Sequence, residues 1–180
     1  MRKTLFVLGV FLLVPAGCKD DDPAPVAADC PAGTVKWTNG HCYQAVLAPG
    51  VSWAEAQAAC STRGGHLATV NSAEENAFLF SLVSGDSAFW VIDAFNNGLG
   101  PWLGGFQATG AAEPGGGWSW VTGEPFSYTN WERGQPDDAG TLNQNRLRFF
   151  KEGALIGSGW DDFEADNWSG HRRGYLFERE

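Results

Sequence analysis

Few side chains in this sequence stand at spacings that perform chemistry. The three histidines, His41, His66 and His171, are scattered and lack the spacing of metal ligands. Gly157-Ser158-Gly159 is too short for the strained Gly-x-Ser-x-Gly turn that presents a nucleophilic serine. Neither a His-Glu-x-x-His helix nor a phosphate-cradling glycine loop is present. Asp161 and Asp162 are adjacent, so on a strand they point to opposite faces, unlike a glycosidase pair flanking one bond. Nothing here marks an enzyme. The aspartates Asp137, Asp138, Asp161 and Asp162 remain, compatible with a solvated acidic loop or with a cation site.

Cysteine is the other reactive type, at positions 18, 30, 42 and 60. Ahead of Cys18, Arg2 and Lys3 precede a short apolar run from Leu5 to Val14. That run falls short of the roughly 20 residues needed to span a bilayer and reads as a secretory signal. Pro15-Ala-Gly17 followed by Cys18 resembles a bacterial lipobox, which makes Cys18 the lipidated residue of an exported lipoprotein. Proline three residues before the cut is atypical of that motif, so simple secretion stays open. Lysine after Cys18 points, by the sorting rule of enteric bacteria, to the outer membrane and the cell surface. Residues 1–17 are thus expected as signal, 18–28 as a flexible tether and 29–180 as one domain. An oxidising compartment permits disulfides, and Cys30, Cys42 and Cys60 are an odd number, so one thiol is left over.

Removing Arg2 and Lys3 from 12 basic residues leaves 10 against 21 acidic ones, a net charge of −11. Such a balance argues against nucleic acid as a partner, since phosphate binding needs a basic surface.

The elements that must position any site come next. Ser52-Trp-Ala-Glu55 and Ser72-Ala-Glu-Glu75 each have the form of a capping box, in which serine and glutamate satisfy free N–H groups of a helix's first turn. The spacing predicts one helix over Trp53–Arg63, ended by Gly64-Gly65, with Trp53, Ala56 and Cys60 facing inward. It predicts a second over Ala73–Val83, with Phe78, Leu79, Leu82 and Val83 as its buried stripe. Beyond Ser84 the apolar runs shorten to strand length, at Trp102–Phe106, Trp118–Val121, Leu147–Phe150, Leu155–Ile156 and Tyr175–Phe177. Thr122–Asn145 is rich in turn formers, and a long irregular stretch inside a compact domain is usually functional. Most of the nine tryptophans read as large core anchors, with at most one or two facing a ligand.

These pieces together carry a resemblance. Cys42-Tyr43, Ser52–Cys60, Gly64–Asn76, Trp102-Leu-Gly-Gly105, Trp118–Gly123, Asn130-Trp131, Gln135-Pro136-Asp137, Trp160-Asp161-Asp162 and Gly174–Glu178 occur in the order of a C-type-lectin-like domain. The resemblance implies an α+β fold, with two helices beside small antiparallel sheets, paired termini and a long loop that carries the site. Cys30-Pro-Ala-Gly33 resembles the extra hairpin of long-form domains, which implies a Cys30–Cys42 disulfide. The family's other two bridges are missing here. Phe177 stands where Cys60 would find its partner, and Arg146 and Ala165 stand at the positions of the second bridge. Cys60 is therefore expected as a buried thiol packing as a small apolar group.

By the same resemblance, Gln135, Asp137, Asp161 and Asp162 are ligands of a calcium ion, and Pro136 is cis. The family usually places a glutamate within Asn143-Gln-Asn-Arg146, and alignment puts Gln144 there. Three carboxylates, Asp137, Asp161 and Asp162, keep the charge that calcium, with its six to eight oxygen ligands, requires. Vicinal sugar hydroxyls are then expected on the ion, with Gln135, Asp137, Asp161 and Asp162 bonding the same hydroxyls. Gln-Pro-Asp goes with galactose-like sugars in the family, so a glycan or polysaccharide is the expected partner. A protein ligand bound without calcium on the same fold is the alternative.

Overall fold

A computed structural model describes residues 30–139, 143–153, 156–165 and 169–180. The expected signal, tether and lipidation site at Cys18 lie outside the described residues, as do Leu155 and Trp168. Among the described residues no helix is long and apolar enough to cross a membrane.

The chain enters as two short strands, β1 (Val35–Lys36) and β2 (Cys42–Leu47), clamped by the Cys30–Cys42 disulfide. Helix α1 (Trp53–Thr62) starts on the complete Ser52–Glu55 capping box and buries Trp53, Ala56 and Cys60, as the spacing predicts. Strand β3 (His66–Leu67) leads to helix α2 (Ala73–Ser81). There the second capping box is only half formed. Ser72 Oγ accepts the N–H of Glu75, but the Glu75 carboxylate turns inward and accepts from Asn71 N instead. The buried face of α2 is accordingly Glu75, Asn76 and Leu79, with Phe78 and Leu82 half-buried and Val83 buried just beyond the helix.

Strands β4 (Val91–Ile92), β5 (Gly98–Gln107), β6 (Trp118–Trp120), β7 (Gln144–Lys151), β8 (Gly159–Glu164) and β9 (Gly174–Arg179) complete the fold. The strand order is β1-β2-β9-β5-β7-β8, with β3 on β9 and β4 and β6 on β5. Antiparallel β2–β9 pairing, from Cys42↔Arg179 to Leu47↔Gly174, brings the two ends of the domain together. This is the α+β architecture that the sequence motifs imply. Of the five predicted strands, four are observed, whereas Ile156 lies outside any strand.

Two buried clusters hold the layers together. One gathers Tyr43, Leu79, Leu103, Trp118, Trp120, Leu147 and Trp160; the other gathers Trp53, Cys60, Leu67, Trp102, Tyr175 and Phe177. Cys60 and Phe177 share the second cluster, so an aromatic ring fills the space where a bridge would stand, and the thiol is fully buried. Burial pushes that thiol up to about 12, against the weaker pull of Arg63. The Trp-Leu-Gly-Gly motif has a packing reason as well: a Cβ at Gly105 would lie 2.8 Å from Leu147 Cβ on the neighbouring strand.

Most tryptophans are core anchors, as their number implies. Trp53, Trp90, Trp102 and Trp118 donate their indole N–H to backbone carbonyls, and Trp160 donates to Asn76 Oδ1 at 2.8 Å. Only Trp37 and Trp131 among the described tryptophans are half-buried.

Candidate ligand site in the long loop

The loop between β6 and β7 is pinned at its middle to β8. Trp131 bridges Trp160, Glu132 N donates to Trp160 O, and Trp160 N donates to Asn130 O, each at 2.9 Å. Beneath this clip lie the rings of Trp118, Trp120, Phe126, Trp131 and Trp160, with centroids about 4.7–6.3 Å apart. A mixed aromatic pile thus orients the segment that follows.

That segment carries the predicted site residues. Gln135 N donates to Glu132 O at 2.9 Å, and the Gln135–Pro136 bond is cis. Asp162 on β8 receives the turn: its Oδ1 accepts Asp137 N at 3.0 Å and its Oδ2 accepts Asp138 N at 2.8 Å. Asp138, with φ of +44°, passes the connection on by accepting Gln144 N at 2.9 Å. Gln135 Nε2 donates to Asp137 Oδ2 at 3.3 Å. The structure therefore joins Gln135, Asp137, Asp138, Gln144 and Asp162 through one set of hydrogen bonds.

Asp161 is placed elsewhere. Its Oδ2 accepts both Nε and Nη2 of Arg148, at 3.2 and 2.8 Å, across the β7–β8 pair where Arg148↔Asp161 are in register. Arg148 lies over the ring of Phe163, 3.5 Å from its centroid. The Asp161 side chain thus stands apart from the hydrogen-bonded set that joins the other expected ligands. Its carboxylate is buried and committed to a guanidinium, because adjacent strand residues face opposite sides. Burial holds the Asp161 carboxyl up at about 7, with Arg148 pulling the other way. Burial also pushes Asp162 up to about 6, against the N–H bonds from Asp138 and Asp137, with the Asp137 charge adding to the push.

The donor chemistry fits calcium, which takes carboxylate and amide oxygens alike. Gln135 Oε1 and Gln144 Oε1 are both buried with no hydrogen-bond partner. Each such acceptor costs about 1–3 kcal/mol if left unmet. Convergence is incomplete, however: among the described residues no three His, Cys, Asp or Glu side chains are grouped to hold a metal ion. Reading the sequence left Asp138 outside the ligand set, although it directly follows Asp137. It also missed Arg148, whose pairing depends on register, and Glu164, a buried carboxylate opposite Gln144 with Oε2 unpartnered.

A two-helix α+β domain with paired ends and a long loop anchored over a tryptophan pile defines a lectin-type binding domain. Comparison with known proteins agrees. The family described as "Lectin C-type domain" matches residues 50–146. Regenerating islet-derived protein 3-alpha of Mus musculus is 31% identical, over 89% of this chain and 84% of its own length. The galactose-specific lectin nattectin of Thalassophryne nattereri is 29% identical, over 73% and 74%. The structure of human lithostathine superposes with a TM-score of 0.65 at 19% identity, covering 90% of this chain and 99% of that one, a likeness of fold. The chain belongs to the C-type lectin domain family.

Proposed function

We propose that this chain binds carbohydrate through calcium, with a preference for galactose-like sugars, and that a lipid on Cys18 holds it at a bacterial cell surface, in the outer membrane. The pair of buried, unpartnered amide oxygens on Gln135 and Gln144 carries the reading. They flank the hydrogen-bonded aspartates 137, 138 and 162, and a hard cation is a partner that would satisfy both. In this reading Gln135, Asp137, Gln144 and Asp162 hold the ion. Asp138 supplies the third negative charge that Asp161, bound to Arg148, does not. The ion supplies a docking point for two vicinal hydroxyls. The amide N–H groups of Gln135 and Gln144 donate to those hydroxyls and the carboxylates accept from them. The Gln-Pro-Asp form and the galactose-specific relative support the sugar class.

Thermal melting in EDTA and in millimolar calcium, with magnesium as control, tests this. At about 100 times the dissociation constant calcium adds about 2.7 kcal/mol, a rise of several degrees. Asp137→Ala and Asp162→Ala should each abolish that rise. No shift at about 10 mM calcium, above the range of extracellular modules, would sink the calcium reading. The Arg148–Asp161 pair favours a second reading, since it removes one charge from the expected shell. Under it the loop binds a protein partner without calcium, and binding that survives chelator is its signature.

A further inference from the structure

Between α2, the Asn130–Arg133 stretch of the long loop and the facing ends of β7 and β8 lies a cavity of about 420 Å³. Its size falls within the roughly 300–1,000 Å³ of small-ligand clefts. Glu132 and Lys151 form its charged wall, Oε1 to Nζ at 2.7 Å, with the lysine side chain 40% exposed. Two glycines clear the space they occupy. A Cβ at Gly157 would lie 2.7 Å from Lys151 Cδ, and one at Gly159 would overlap the Glu132 carboxylate. Neither glycine has a left-handed φ, so the missing side chains serve these two charged neighbours. Gly157-Ser-Gly159, without meaning as a catalytic motif, acquires one as part of this wall.

The lining chemistry specifies a ligand class. Lys151 spends one of its three N–H donors on Glu132, and exposed Arg133 adds a second cation. Two cations against one carboxylate make this spot positive on a chain of net charge −9. The half-buried rings of Trp131 and Phe80 line the same cavity. A bare anion would leave the rings unused, and a neutral sugar would leave the charge unused. We propose that this cavity binds an anionic pyranose unit, a uronic acid or a sulfated sugar, with its ring against Trp131 and its acid on Lys151 and Arg133. No residue assigned to calcium above lines the cavity, so the inference stands apart from that reading. The Glu132 O to Gln135 N bond nevertheless joins the two regions within one turn, close enough for neighbouring units of one acidic polysaccharide.

The test uses the full chain in EDTA, which silences any calcium-held sugar. D-Galacturonate, D-galactose and acetate are titrated in turn while the Trp131 indole N–H resonance is followed. Galacturonate should shift it, with galactose and acetate each weaker by roughly ten-fold or more. Lys151→Gln and Arg133→Gln should each weaken galacturonate by roughly ten-fold, while remote Lys36→Gln leaves it unchanged. Arg133 is exposed, so its variant keeps the test valid even if Lys151→Gln melts early. No Trp131 shift, equal affinity for galactose, or equal affinity for acetate overturns the proposal; the last outcome reduces the cavity to a plain anion site.

Discussion

Asp161 and Arg148 decide how the candidate site should be read. Both are buried, and breaking a buried pair by removing one partner strands the other charge, at about 3–5 kcal/mol. Asp161→Ala should lower stability by roughly that amount in denaturant unfolding. Replacing both residues, as Arg148→Met with Asp161→Leu, should restore most of it. If Asp161 plays no part in calcium binding, the double variant keeps the calcium-induced rise in melting; loss of the rise would return Asp161 to the ligand set. Cys60 gives a second check at this scale. Its thiol is fully buried and pushed up to about 12, so it should resist thiol reagents at pH 8 until the chain unfolds. Rapid labelling of Cys60 in the native protein would contradict the packing described for the second cluster.

Helix α2 meets strands β2 and β9 through polar contacts that its apolar pattern does not reveal. Tyr43 OH lies 2.7 Å from Glu75 Oε1 and 2.9 Å from Glu178 Oε1, and its single proton serves only one of them. Asn39 and Asn71 complete the bonds to Glu75; His41 and Thr69 complete those to Glu178. Burial raises the Glu75 carboxyl above its ordinary 4.5, and the charges of Glu178 and Glu124 add to the rise. A carboxyl raised on folding stabilises fully below its unfolded value and loses that contribution as pH rises through the folded one. Stability should therefore fall as pH rises through the raised Glu75 value, and Glu75→Gln should flatten the fall. Asp161 and Asp162 add to the wild-type slope, at about 7 and about 6, so the difference between the two proteins isolates Glu75. An unchanged slope in the variant would remove Glu75 as a contributor.

The same scale shows what the sequence pattern could reach. Helix α1 was legible because its capping box and inward spacing agree with its burial. Strands β1, β3 and β4 are two residues long, too short for any alternation to register. Strand β7 begins at Gln144, where it pairs with Glu164 of β8; its first residues, Gln144, Asn145 and Arg146, are polar, so no apolar run marks them ahead of Leu147.

For the molecule as a whole, the long loop and the core are one structure joined at Trp160. This side chain is fully buried, bonds Asn76 of α2, and meets Trp120 of β6 and Phe126, Tyr128 and Trp131 of the loop. Trp160→Ala should cost about 3–5 kcal/mol in unfolding free energy and abolish any calcium-induced rise in melting, because the support of the site goes with it. A calcium response intact in a destabilised Trp160→Ala protein would show that the site holds its shape without the pile.

Ordered motifs in the sequence determined the family, the two helices, the closing strand, the Cys30–Cys42 pair and the identity of the loop that carries oxygen donors. These are local patterns, or follow from motif order along the chain. Only the tertiary structure decided that Asp161 belongs to Arg148, that Asp138 joins Asp162, and that Glu132 and Lys151 wall a cavity. Each of those depends on β7–β8 register or on where the loop lands against β8, contacts between residues distant along the chain. A one-residue slip of β8 against β7 would turn Asp161 and Asp162 to the opposite faces of the sheet.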